Sequence, residues 1–158
     1  MTIDDLKTLM DEFDPASLLP ELDTIIGKIA FIARIAVLVG PIVLLVMGLL
    51  YIFAAPKEAN YHFGYRCYFG MGSVEAWRFT QRLAGMVWGA LGLILTAVML
   101  LISSGFGSME IMDLLWRAVY CVAWEAGLVL AAWVAVNIVV ALRFNAKGDL
   151  RSKKTKRA

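Results

Sequence analysis

Ile35 to Ala55 is a run of 21 residues without a charge, and Leu83 to Ile102 is a second of 20. Leu114 to Leu142 is a third apolar run, interrupted by Arg117, Glu125 and Asn137. Wound as helices, the first two are about 31 and 30 Å long, the thickness of a bilayer's hydrocarbon core. Only 18% of the 158 residues are charged and 61% are hydrophobic, whereas a typical soluble domain has roughly 25% charged residues. A soluble fold could not clothe its surface from this composition. A soluble globule, a disordered chain and a disulfide scaffold are therefore excluded. The reading is an all-α membrane protein with three transmembrane helices, at about 24–55, 80–102 and 113–143. Together they form one domain, 24–143, between an acidic N-terminal segment, 1–23, and a basic tail, 144–158. Gly40-Pro41 should kink the first span and Pro56 should stop it.

The net charge of +2 says little, but its distribution says more. Residues 1–27 carry seven acids and one base, and residues 143–158 carry seven bases and one acid. The connection 56–82 holds Lys57, Arg66, Arg78 and Arg82, whereas 103–113 holds only the acids Glu110 and Asp113. Three spans put the termini on opposite sides of the membrane. With the N-terminus outside and the C-terminus cytoplasmic, all four segments obey the positive-inside rule. The lipid bilayer is thus the first partner. The tail lacks aromatic interleaving, so it reads as an anchor beside anionic lipid rather than a nucleic-acid arm. Ile3, Leu6, Leu9, Met10 and Phe13 recur at helical spacing. They predict a short amphipathic helix over 3–13, ended by Asp14-Pro15. The N-terminus has no basic n-region of a cleavable signal. Cys67 and Cys121 have no metal spacing, so no metal and no cofactor is expected. A disulfide is not expected either, because Cys67 falls on the cytoplasmic side.

The least generic stretch is the first connection, Asn60 to Gly85. It carries five aromatic residues between Tyr61 and Phe69, with Gly64, Gly70 and Gly72 among them. Such rings favour the headgroup level. From Ser73, a candidate N-cap, the pattern turns helical, with Val74, Trp77, Phe79 and Leu83 apolar and Glu75, Arg78 and Arg82 charged. The connection should be a compact aromatic turn followed by an interfacial cytoplasmic helix leading into the second span. Asn60, Gly64, Tyr65, Arg66, Ser73, Glu75, Trp77, Gln81 and Gly85 together form a pattern. In these positions the chain resembles the SdpI-like family of small bacterial membrane proteins, typified by immunity to the sporulation-delaying (Sdp) toxin of bacilli. Cys67 and Gly70 depart from it, where the family usually has Thr and Ser/Thr. The resemblance implies a multi-pass protein of the bacterial cytoplasmic membrane. It further implies that the motif residues are its functional core, and that the activity is toxin immunity or signalling by sequestration.

Arg34 and Glu125 are the intramembrane polar residues to explain. Counted by helical rise from the cytoplasmic border, they lie about 33 and 27 Å deep. That predicts an Arg34–Glu125 ion pair joining the first and third spans, either to order the bundle or as a polar site for a ligand. Arg117 should snorkel to the outer surface, and Asn137 should hydrogen-bond across helices. Gly85, Gly89, Gly92 and Thr96 form a small-residue stripe. The stripe should pack against the chain's own helices, with a homodimer as the alternative. Arg66, Arg78 and Arg82 either set topology and pair with Glu58 and Glu75, or bind lipid phosphate. His62 in its aromatic turn reads as structural, and the methionines as filler.

One histidine without a nucleophile or a carboxylate pair gives no catalytic constellation, so the protein is read as non-enzymatic. The leading expectation is a membrane interaction protein that recognises a hydrophobic peptide, such as a toxin, or a lipid or membrane partner. The alternative is a small accessory subunit or transporter-like protein. Under the leading expectation, the acidic helix 3–13 would be an outward surface attracting a cationic toxin.

Overall fold

The structure is a computed structural model that describes residues 19–59 and 62–151, with backbone only for 19–23. The expected amphipathic helix 3–13, Asn60 and the last seven residues lie outside the described residues. Three long helices follow one another: α1, Leu19–Phe53; α2, Val74–Ser104; and α3, Ile111–Arg143. Two single 3-10 turns, Phe69–Met71 and Phe106–Ser108, sit in the connections. All three helices are long and apolar enough to cross a membrane.

Glycine sets how α1 meets α2. A methyl group on Gly85 would lie 2.6 Å from Ile52 Cγ1 and 2.9 Å from Gly48 O. One on Gly48 would collide with the backbone of Gly89, and one on Gly92 with the backbone of Leu45. Two backbones approach this closely only where at least one of the facing residues lacks a side chain, as at other small-residue interfaces in membranes. The stripe on α2 is therefore covered by α1, the intramolecular reading of Gly85, Gly89 and Gly92. Thr96 turns its hydroxyl inward, donating to Gly92 O at 2.7 Å. Helix α1 continues unbroken through Pro41, which is fully buried beside Val37.

Helix α3 buries a single stripe, with Leu114, Cys121, Glu125, Val136 and Val140 at its centre. Its other faces, such as Trp124 and Leu142, are exposed and apolar, as lipid requires. Two separate cores result. One joins Ala33, Val37, Met99, Phe106, Leu114 and Cys121 at the end where α2 turns into α3. The other joins Tyr65, Cys67, Ala76, Ala84, Val136 and Phe144 at the end where α1 turns into α2.

The second span differs from expectation at its start. Ser73 is the N-cap, its hydroxyl accepting from Ala76 N–H at 3.1 Å. From there the helix runs without interruption to Ser104, about 46 Å. The segment 74–79 is thus continuous with the span and forms its first turns.

Candidate functional site

The connection after α1 folds back into the bundle. Gly64 has φ of +121°, a conformation open to glycine and strained for other residues. A methyl there would also strike the Trp77 ring at 2.7 Å. This turn delivers Tyr65 between the helices. Tyr65 N–H donates to Gln81 Oε1 at 2.8 Å, and Gln81 Nε2 donates back to Tyr65 O at 2.7 Å. One buried glutamine, 2% exposed, thus satisfies both backbone polar groups of one buried loop residue. In an apolar setting, leaving them unpaired would cost about 1–3 kcal/mol each.

The Tyr65 ring meets all three helices. It packs edge-on against Tyr51 of α1 and Trp88 of α2, with centroids 6.2 and 6.0 Å apart. Its hydroxyl accepts from Asn137 Nδ2 of α3 at 2.8 Å. Asn137 also donates to Trp133 O on its own helix, so its partner across the bundle is the loop rather than another span. Burial pushes the Tyr65 hydroxyl up to about 12. Trp77 is wholly buried and donates its indole N–H to Pro56 O at 2.8 Å, pinning the end of α1 to the start of α2.

Cys67 and Gly70, the two departures from the family pattern, are neighbours in space. A methyl on Gly70 would lie 2.8 Å from Cys67 Sγ and 2.5 Å from Thr80 Oγ1. The absent side chain makes room for the bulkier sulfur, and Thr80 supplies a hydroxyl to the same spot. Burial pushes the Cys67 thiol up. Cys67 and Cys121 are both free.

The segment after α3 closes over this loop, where a simple basic tail is expected from the sequence. Phe144 and Leu150 form a bridge, and Asn145 Oδ1 accepts from Lys147 N–H and Asp149 N–H, both at 2.9 Å. The turn brings Gly148 O onto Ser73 Oγ–H at 2.8 Å. Phe144 packs on Phe79, and the Arg143 guanidinium stacks 4.2 Å above the Phe79 ring. The signal was present in Asn145 and Gly148, both turn formers. The loop and the segment after α3 therefore share one end of the bundle, as the two basic segments require.

Arg66, Tyr68, Glu75, Arg78 and Arg82 all face outward from this end, Tyr68 with 76% of its surface exposed. Arg78 Nε donates to Lys57 O at 3.4 Å. Gly85 belongs to the α1–α2 contact described above.

The expected Arg34–Glu125 ion pair is not formed. Arg34 donates through Nε and Nη2 to Ser103 O, at 3.2 and 3.0 Å. That carbonyl lies in the last turn of α2, where helix carbonyls lack intrahelical donors and attract cations. Glu125, 6% exposed, instead sits against Gly40 of α1, with Oε2 3.0 Å from where a Cβ would be. Gly40 is six residues beyond Arg34, about 9 Å along the helix. Glu125 Oε1 has no hydrogen-bond partner. Counting depth along each helix missed the nearer acceptor at the end of α2.

Between α2 and α3, at the opposite end from the loop, lies an open groove of about 740 Å³. Its walls include Leu95, Val98, Trp116, Tyr120, Trp124 and Leu128, with Asp113 and Arg117 also lining it. Among the described residues, no three of His, Cys, Asp and Glu come together to hold a metal ion.

A three-helix membrane bundle whose first connection plugs its own core is the class of protein defined by this geometry. Residues 57–143, more than half of the chain, match the family model described as the SdpI/YfhL protein family. The chain belongs to that family. No curated protein and no solved structure matches it. The matched region begins at the loop and ends with α3, so it contains the whole Tyr65–Gln81–Asn137 network. Family membership and the three spans fit a membrane protein of the toxin-immunity type.

Proposed function

We propose that the protein is a non-enzymatic interaction protein of the bacterial cytoplasmic membrane, protecting against or reporting a hydrophobic peptide that enters the bilayer. The observation that carries this reading is the division of labour within the motif. Tyr65, Trp77 and Gln81 are buried and fix the loop, and Arg66 and Tyr68 on the same loop are exposed. A rigid loop that presents a cation and an exposed ring is a preorganised recognition surface. The basic loop and the Arg143–Arg151 segment lie at one end of the bundle. By the positive-inside rule that end is cytoplasmic, which puts the N-terminus outside.

The test is sensitivity to the Sdp-type peptide toxin in cells expressing matched amounts of each variant. Arg66→Ala and Tyr68→Ala should lose protection at normal abundance, whereas Trp77→Ala should lose abundance first. Full protection by the Arg66→Ala/Tyr68→Ala double variant would refute this assignment.

A further inference from the structure

The groove between α2 and α3 is at the far end of the molecule from the loop, and neither the family motif nor the proposed recognition surface uses it. We infer that it is a binding site for one phospholipid with a zwitterionic, ethanolamine-type headgroup. Three observations converge on that occupant.

The first is length. The groove runs along α3 from Asp113 to Leu128, fifteen residues, or about 22 Å of helix. Half of a bilayer of about 40–45 Å, headgroups included, is the same length. A groove made for a partner's spanning helix would continue across the full membrane. This one stops at mid-membrane, which is where the tail of a single lipid ends.

The second is the order of charge. Asp113 lies in the first turn of α3, at the membrane border, and Arg117 lies one turn deeper, about 6 Å further in. Both are exposed, and neither has an ion-pair partner among the described residues. A phosphatidylethanolamine presents the same sequence to the membrane normal, with the ammonium outermost and the phosphate two carbons beneath it. The Asp113 carboxylate meets the ammonium, and the Arg117 guanidinium donates to the phosphate oxygens, a geometry suited to its planar fork. A lipid with an anionic glycerol headgroup would satisfy Arg117 and leave Asp113 facing a neutral hydroxyl.

The third is the wall. Trp116 and Tyr120, with ring centroids 6.0 Å apart, stand at the headgroup level, where such rings favour the wet border. Below them Trp124, Leu128, Leu95 and Val98 offer only apolar surface, as an acyl chain requires. The volume of about 740 Å³ is that of a ligand pocket rather than a packing defect.

The inference is independent of the immunity reading, since its readout is lipid retention. The purified full-length protein would be delipidated mildly and exposed to equal amounts of phosphatidylethanolamine and phosphatidylglycerol of matched chains. Retained lipid would be counted by native mass spectrometry. One phosphatidylethanolamine should be retained, preferred by about tenfold, a factor within the worth of one charge-assisted hydrogen bond. Asp113→Ala should erase the preference, and Arg117→Ala should lose the lipid. Val98→Trp, which fills the groove without touching either charge, should also release it, so the test survives an unstable charge variant. Equal retention of both lipids, retention unaffected by Val98→Trp, or a peptide rather than a lipid displaced by that variant would overturn the assignment.

Discussion

The two ends of this bundle solve the same problem in opposite ways. At the loop end, three helices diverge enough to admit a ring, and the chain fills the space itself with Tyr65, held by Gln81 and Asn137. At the other end, the short turn through Phe106–Ser108 inserts only Phe106, into the core with Ala33 and Val37 of α1, and between α2 and α3 a groove remains. The long aromatic connection is thus a plug, and the short connection is a tight turn beside an opening. In a membrane the second solution carries no penalty, because lipid tails occupy apolar space as well as side chains do. Backbone polar groups buried in an apolar bundle are another matter. They are tolerated only where protein satisfies them, which is why the plug requires Gln81.

This contrast predicts a ranking of damage. The largest effect belongs to neither end but to the contact that sets both. Gly48→Val should push α1 off α2 along the Gly85–Gly92 stripe and cost about 3 kcal/mol or more, read as loss of folded protein from membranes. Gln81→Ala comes next: it orphans two buried backbone groups and should cost about 2–6 kcal/mol, seen as a lower thermal midpoint in detergent. The same variant should expose Cys67. In the native protein burial raises its thiol, so little thiolate forms at neutral pH and maleimide should react slowly. In the Gln81→Ala variant the labelling rate should rise, and in both proteins it should rise with pH. Asn137→Ala removes one bond to the Tyr65 hydroxyl and should cost about 0.6–2 kcal/mol. The smallest effect is expected at the open end, where Leu128→Ala removes groove wall that supports no core and should leave the midpoint unchanged. If Leu128→Ala were as damaging as Gln81→Ala, the two ends would not differ as described.

Glu125 lies between the two cores, on the buried stripe of α3. Because Oε1 has no partner, Glu125→Gln should be tolerated or stabilising, with unchanged abundance checked against thermal midpoint. A transporter-like protein would instead require the carboxylate, and the same variant would lose function without losing fold.

Much of this was legible in the sequence, for reasons that can be named. The three apolar runs fix the spans because a bilayer permits few alternatives. Ser73 was readable as a cap, and the Gly85–Gly92 stripe as a close helix contact, since both signals are local. Gln81 and Tyr65 were singled out as motif residues, but not as partners. A side chain bonding a backbone sixteen residues away leaves no periodic trace. The Arg34–Glu125 pair expected from helical rise does not form, because counting from the helix ends leaves an error of a turn or more in how two helices are registered: Glu125 sits at Gly40, six residues from Arg34. The turn at Asn145–Gly148 was hidden by its basic neighbours, which read more strongly as a tail. The groove was invisible, since it depends on the angle between two helices rather than on any residue in either.

The central claim is that the loop around Tyr65 is an internal, hydrogen-bonded part of the bundle. Amide hydrogen exchange of the protein in lipid nanodiscs tests it directly, through the segment 64–70. Protection there comparable to the middle of α2, collapsing in Gln81→Ala while α2 and α3 stay protected, is the predicted result. Exchange of that segment at the rate of an unstructured surface loop in the native protein would contradict it.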